Sequence, residues 1–210
     1  MTAQEWLLFI LTVLGVSLIP GPSTLLAFAD GARFGADRAV ATALGNACAS
    51  TLQAAAASVG LGAIIVGSAL LFSIVKYAGA AYLVYIGIRM WRAAHVPIVL
   101  GAGTTRPSRT ATALFRGGFA VAIANPKAIA FFTALFRQFL SHEGGTVTQL
   151  AGMTAICGAG AFLVAMTYSV FGDRVRQLEL SQGLMIGLQR SVGGMFFLSG
   201  VGIAFARTEE

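Results

Sequence analysis

Residues 17–28 read SLIPGPSTLLAF, and an apolar segment continues on both sides of them. A proline lacks the backbone N–H and clashes with the carbonyl four residues earlier, and a glycine loosens the backbone. Pro20, Gly21 and Pro22 therefore predict that a helix through this segment breaks in its middle. Such a break leaves carbonyls unpaired, which hydrocarbon tolerates only beside protein or a water-filled cavity. A kink that serves only helix packing is the alternative interpretation.

A second break of the same kind follows about half a chain later, where residues 122–132 read AIANPKAIAFF. Here Asn125 and Pro126 precede Lys127, a cation inside an apolar stretch. A lysine at the centre of a membrane helix costs about 2.5–3.5 kcal/mol, so it usually faces a cavity or a partner. Lys127 is predicted to face a cavity, where its ammonium and a helix N-terminus would hold a substrate carboxylate. The alternative is that Lys127 lies near the membrane surface and extends its ammonium to water.

The composition around these breaks indicates an integral membrane protein. Of 210 residues, 57% are hydrophobic and 10% are charged, and the mean hydropathy is +0.80. A soluble domain carries about 25% charged residues, whereas a helix that crosses a membrane needs about 20 apolar ones. The sequence predicts about six transmembrane helices, within apolar stretches at 5–29, 39–66, 69–91, 113–136, 147–171 and 190–206. Residues 172–189 are predicted to form an amphipathic helix along the membrane surface.

Basic residues predict the orientation, because cytoplasmic loops carry an excess of Lys and Arg. With six spans, the first, third and fifth connections share one face, which is predicted to be cytoplasmic and holds ten arginines: Arg33, Arg38, Arg89, Arg92, Arg106, Arg109, Arg116, Arg174, Arg176 and Arg190. The other face holds Lys76, Arg137 and Arg207, and both termini would lie on it. Asp30 is interpreted as a solvated helix end, with a gate charge as the alternative. Because the net charge of +6 resides at segment ends, nucleic acid is not the expected partner.

The two halves of the chain share landmarks in the same order. Besides the two proline breaks, KYAGAAYL at 76–83 corresponds to RSVGGMFF at 190–197. Each half, about 1–92 and 113–207, contains three predicted spans, and a cytoplasmic loop at 93–112 joins them. An odd number of spans places the halves in opposite orientations, which is the inverted-repeat plan of many secondary transporters. The alternative is a chance match between two sequences rich in Gly, Ala, Leu and Phe.

One predicted span carries a row of polar side chains. Asn46, Ser50 and Gln53 follow one another at helical spacings of four and three and so share a helix face. Such a face either lines a substrate pathway or holds two helices together by hydrogen bonds. The predicted substrate-binding residues are therefore Pro20, Gly21, Pro22, Asn46, Ser50, Gln53, Asn125, Pro126 and Lys127.

These motifs together resemble the lysine exporter superfamily, in particular its homoserine/threonine efflux branch. The matching pieces run across almost the whole chain and are Pro20-Gly21-Pro22, Gly45, Gly60, KYAGAAYLVYIG at 76–87 and Asn125-Pro126-Lys127-Ala128. The resemblance implies a multi-pass protein of the bacterial inner membrane that exports amino acids or close derivatives, driven by the proton gradient. Members of the family often carry an acidic residue around Ser50 and a histidine near Gln53. This chain has neither, so proton coupling through those positions is not expected.

The mechanism expected from these features is alternating access between two three-helix halves. The substrate carboxylate would lie near Lys127 and its amine against carbonyls freed at the first break. The predicted spans lack clusters of His, Asp, Glu or Cys, so no enzyme activity, metal or cofactor is predicted. Nor does the sequence contain a phosphate-binding loop for ATP.

Two other functions and one assembly remain open from the sequence. A thiol electron carrier would use Cys48 and Cys157, although neither has a C-x-x-C partner or a flanking cation that would activate it. An exporter of another class of small molecule fits the same architecture. The sequence is also compatible with a homo-oligomer in the lipid bilayer.

Overall fold

The computed structural model describes residues 1–58, 69–93, 109–139, 147–177 and 182–205. Within these ranges the prediction of an all-helical chain is confirmed. The helices are α1 Ala3–Leu18, α2 Pro22–Phe34, α3 Ala36–Ser58, α4 Ala69–Ala93, α5 Ala111–Ile123, α6 Pro126–Phe139, α7 Val147–Gln177 and α8 Gln182–Phe205.

Local sequence signals set several helix ends. At the start of α1, the Glu5 N–H donates to Thr2 Oγ1 at 3.3 Å and the Thr2 N–H donates to Glu5 Oε2 at 2.6 Å. This reciprocal pair satisfies N–H groups that have no partner within the helix. At the end of α2, Gly35 has a φ of 90°, which favours glycine and turns the chain directly into α3.

Two pairs of consecutive helices are bent at the predicted breaks. The axes of α1 and α2 meet at 64°, and those of α5 and α6 meet at 61°. Pro22 and Pro126 are the first residues of α2 and α6. A proline is well accommodated there, because the first N–H groups of a helix have no intrahelical partner. We call α1 with α2 the first bent pair and α5 with α6 the second.

Three of the six predicted membrane spans have a counterpart of sufficient length and hydropathy. Among the described residues, α7 qualifies alone over Val147–Val175, and counting each bent pair as one span raises the number to three. The spans predicted at 39–66, 69–91 and 190–206 correspond to α3, α4 and α8 and stay predictions. In α3 the polar side chains of Asn46, Ser50 and Gln53 lower the mean hydropathy, and residues 59–68 lie outside the described part.

The predicted surface helix at 172–189 is wrong. Residues 172–177 instead continue α7, and α8 already begins at Gln182. Arginine, glutamine and leucine are good helix formers, so this mixed segment extends two long helices. The loop between the apolar stretches predicted at 113–136 and 147–171 begins later than expected, because α6 runs to Phe139. The rest of that loop and most of the 93–112 loop lie outside the described residues.

Each bent pair packs on a helix of the other half of the chain. α1 and α2 pack on α7, α5 and α6 pack on α3, and α4 packs on α8. Glycines permit the closest of these contacts: a Cβ on Gly118 of α5 would overlap the Thr42 carbonyl of α3, and a Cβ on Gly31 of α2 would overlap the Ser169 carbonyl of α7. Small residues of this kind let membrane helices approach closely.

Candidate functional site

A cavity of about 80 Å³ lies where both bends meet α3 and α7. One water molecule needs about 10–15 Å³ of such space, so the cavity has room for several waters or for one small ligand. Its walls are Val16, Ser17, Ile19, Gly21, Ser23 and Thr24 from the first bent pair, Asn46 and Ser50 from α3, Asn125, Ala128, Phe131 and Phe132 from the second bent pair, and Ala161 and Val164 from α7.

Two helices begin at this cavity. Gly21 and Ser23 at the start of α2 line it, as do Asn125 and Ala128 at the start of α6. The Gly21 N–H donates to Thr24 Oγ1 at 2.9 Å and the Ala128 N–H donates to the Asn125 carbonyl at 3.0 Å, but both helix starts lie at the positive end of a helix dipole. Two such ends around one small cavity suit an anionic group such as a carboxylate.

Four of the nine predicted site residues line the cavity: Gly21, Asn46, Ser50 and Asn125. Asn46 and Ser50 are only 7% and 6% exposed. Asn46 Nδ2 also donates to the Ala161 carbonyl of α7 at 3.1 Å. Asn46 therefore lines the cavity and also joins two helices by a hydrogen bond. At this residue the polar face does both things that the sequence offered as alternatives.

Pro20 and Pro22 are not among the residues that line the cavity. Pro20 is exposed at the first break, and Pro22 is buried as the first residue of α2. Pro126 and Lys127 open α6, but their side chains lie outside the described part of the structure. The substrate-binding roles of all nine residues stay predictions.

The sequence predicts unpaired carbonyls at the first break, but the carbonyls of Leu18 and Gly21 both have hydrogen-bond donors. The hydroxyl of Tyr168 in α7 donates to the Leu18 carbonyl at 2.9 Å. The Gly21 carbonyl accepts from the Leu25 N–H at 2.9 Å and from the Thr24 hydroxyl at 3.0 Å. The Tyr168 hydroxyl thus replaces, for the Leu18 carbonyl, the N–H group that Pro22 lacks, as hydrocarbon requires.

Gln53 has the corresponding role at the second break. Its Nε2 donates to the carbonyls of Ala122 at 3.2 Å and Ile123 at 3.3 Å, and its Oε1 is buried without a hydrogen-bond partner among the described atoms. Gln53 is absent from the residues that line the cavity, although it shares a helix face with Asn46 and Ser50. α3 and α7 therefore each donate a hydrogen bond to the break of the other half.

Tyr168 and Asp30 show what the sequence did not reveal. A tyrosine inside an apolar stretch needs a partner for its hydroxyl, and that need was the available signal for Tyr168. The interpretation of Asp30 as a solvated helix end is wrong, because its side chain is 6% exposed. Asp30 Oδ2 accepts from the Thr42 hydroxyl at 2.7 Å, at the contact between α2 and α3.

The chain is similar to known translocators and efflux proteins. The sequence profile of LysE type translocators matches residues 10–208. The homoserine/homoserine lactone efflux protein of Salmonella typhimurium is 32% identical over 210 residues, which cover 99% of each chain. An uncharacterized membrane protein of Vibrio cholerae serotype O1 is 29% identical over 209 residues, 99% of this chain and 100% of its own. The leucine efflux protein of Enterobacter sp. (strain 638) is 32% identical over 126 residues, 60% of this chain and 58% of its own. No solved structure matches.

Proposed function

Because the chain belongs to the LysE type translocator family, we propose that it exports amino acids or close derivatives across the bacterial inner membrane. Membership of this family makes it a membrane transporter and not an enzyme. The relatives named for homoserine, homoserine lactone and leucine efflux support the substrate class. The observation that carries the proposal is the small cavity at which two broken helices begin.

The substrate carboxylate is proposed to face the N-termini of α2 and α6. Lys127, the second residue of α6, would add a cation at the same place. Gly21 and Leu18 already have hydrogen-bond donors, so the substrate ammonium is proposed to meet the side-chain oxygens of Asn46 and Ser50 instead. A side chain of the substrate would contact the apolar wall formed by Phe131 and Phe132.

Export is proposed to proceed by alternating access between two halves, about 1–92 and 113–207, arranged as inverted repeats. The packing of each bent pair on a helix of the other half supports this arrangement. The hydrogen bonds between the halves support it as well, because Gln53 donates to carbonyls at the second break and Tyr168 donates to a carbonyl at the first. A movement of one half against the other would open the cavity to one side of the membrane at a time, with the proton gradient as the driving force.

Efflux from cells that express the chain tests the proposal. The cells are loaded with a mixture of amino acids supplied as dipeptides, and the loss of each amino acid is followed. We expect one or a few amino acids to leave faster than from control cells. A hydrogen bond to a charged group contributes about 1.5–3 kcal/mol, so Lys127→Ala should reduce export about tenfold or more at low substrate concentration.

Lys76→Ala is the matched control and should export normally, because Lys76 lies at the end of a predicted span, where cations serve to anchor a membrane helix. Normal export by Lys127→Ala would exclude the carboxylate role of Lys127. If no amino acid leaves faster although the protein is in the membrane, the substrate belongs to another class of small molecules.

A further inference from the structure

Asp30 stands out among the acidic side chains that the structure describes. It is 6% exposed, whereas Glu5 and Asp37 are exposed and Asp173 is half-buried. It lies in the second helix of a bent pair that qualifies as a membrane span. An ionisable group inside a membrane span is costly and usually marks a pathway for substrate or protons.

The surroundings of Asp30 offer two different arrangements of its carboxyl group. In the structure the Thr42 hydroxyl donates to Oδ2 at 2.7 Å. Arg33, one turn later on α2, and Arg109, just before α5, are the cations whose charges act on it. Arg33 Nε is buried without a hydrogen-bond partner among the described atoms. Its N–H is therefore available to donate to the ionised carboxylate of Asp30, one turn earlier on α2. Further charged side chains on helices that pack on α2 are Asp37, Arg38, Arg116, Asp173, Arg174 and Arg190.

We propose that Asp30 binds and releases the proton that drives export, an inference that rests on the proposed export function. In the ionised state the carboxylate accepts from Thr42 and attracts Arg33 and Arg109. Binding of a proton forms one O–H bond, removes the negative charge and ends that attraction. The proton would enter from the outside and leave to the cytoplasm, while the substrate moves in the opposite direction.

α2 connects this group to the cavity. The helix begins with Gly21, Ser23 and Thr24 at the cavity wall, and Asp30 follows Thr24 along the same helix at a distance of about 9 Å, given a rise of about 1.5 Å per residue. Gly31 lies directly against the Ser169 backbone of α7. A change in the charge of Asp30 can therefore shift α2 along α7 and alter the cavity, which couples proton binding to substrate binding.

Purified protein in liposomes provides the test. With the membrane potential held at zero and a pH difference of one unit, exchange of one proton for one substrate sustains about a tenfold substrate ratio, since one pH unit is a factor of ten in proton activity. We expect that ratio for the wild type and a ratio of about one for Asp30→Asn. Exchange of labelled against unlabelled amino acid at equal concentrations needs no net proton movement, so Asp30→Asn should retain it.

Two further variants separate a role of Asp30 in proton coupling from a structural role. Asp30→Glu keeps an ionisable group and should restore the ratio, and Asp37→Asn, which changes an exposed carboxyl, should keep both ratio and exchange. Asp30→Asn with a wild-type ratio would overturn the inference. The inference would also be overturned if folded Asp30→Asn and folded Asp30→Glu both failed to exchange labelled for unlabelled amino acid.

If Asp30→Asn does not fold, Thr42 offers a second route. Thr42→Val removes only the hydroxyl and should change the pH dependence of export, while Thr42→Ser should not. An unchanged pH dependence in Thr42→Val would overturn the inference. A wild-type protein that exchanges amino acids but sustains no ratio contradicts this inference alone, whereas one that exchanges none contradicts the proposed function.

Discussion

Single side chains make the two helix breaks compatible with a membrane. A carbonyl that has lost its N–H partner finds no water in hydrocarbon, and here Tyr168 and Gln53 supply the donors from other helices. Gln53 donates to two carbonyls with one amide group. The Ala122 carbonyl also accepts from the Asn125 N–H at 3.1 Å, so removal of Gln53 takes the side-chain donor from both carbonyls but leaves Ala122 with a backbone donor.

We therefore expect Gln53→Leu to destabilise the protein. An unsatisfied buried carbonyl costs about 1–3 kcal/mol, and a loss of 1 kcal/mol lowers the Tm of a protein of this size by about 2–4 °C. Thermal unfolding of the purified protein in detergent should show a decrease of about 2 °C or more. Gln138→Leu, which changes an exposed glutamine on α6, should leave the Tm unchanged. An equal Tm for Gln53→Leu and wild type would show that these hydrogen bonds are not needed.

For single residues, the sequence predicted some positions at the cavity correctly and others incorrectly. The spacing of Asn46 and Ser50 placed both on one helix face, and both line the cavity. The same spacing grouped Gln53 with them, although Gln53 contacts the second break. Periodicity along one helix indicates a face, but the neighbour of each residue on that face depends on the other helices. For the same reason the sequence did not reveal the burial of Asp30 or the partner of Tyr168.

Helix contacts through glycine set the positions of the elements around the cavity. Gly118 and Gly117 are adjacent in α5 but differ in surroundings: a Cβ on Gly118 would overlap the Thr42 carbonyl, and a Cβ on Gly117 would have no atom within 4 Å. The contact of α5 with α3 therefore depends on one glycine of the pair.

Gly118→Ala should separate α3 from α5, lower the Tm by several degrees and reduce export. Gly117→Ala is the matched control and should be neutral or slightly stabilising, because alanine favours a helix over glycine by about 0.5–1 kcal/mol. Thermal unfolding and efflux of the two variants check this prediction. Similar behaviour of both variants would mean that the helices are less closely packed than the structure indicates.

Element boundaries followed the sequence where a strong local signal exists. The breaks at Pro20-Gly21-Pro22 and Pro126 appear where the prolines predict them, since a proline acts on its own helix. Residues 172–189 lack proline, and those of them that the structure describes, 172–177 and 182–189, belong to α7 and α8. Charge alone does not end a helix, so a polar segment can belong to the helices on either side of it.

In the described part of the molecule, two bent pairs pack on α3 and α7, and α4 packs on α8. α3 and α7 each come from one half and pack on the bent pair of the other, which keeps the halves interlocked around the cavity. The repeated landmarks in the sequence led to the proposal of two related halves. The sequence could not predict which helices of the halves meet, because that depends on close contacts such as those of Gly31 and Gly118.

We propose that this cavity is the binding site of an amino acid exporter, and counterflow of labelled amino acids into liposomes tests that proposal. Ser50→Leu places a larger side chain in a cavity of about 80 Å³, while Ser191→Leu makes the same change on the exposed surface of α8. A substrate site in this cavity predicts counterflow of one or a few amino acids for wild type and Ser191→Leu, and almost none for folded Ser50→Leu. Counterflow by Ser50→Leu at the wild-type rate would contradict it.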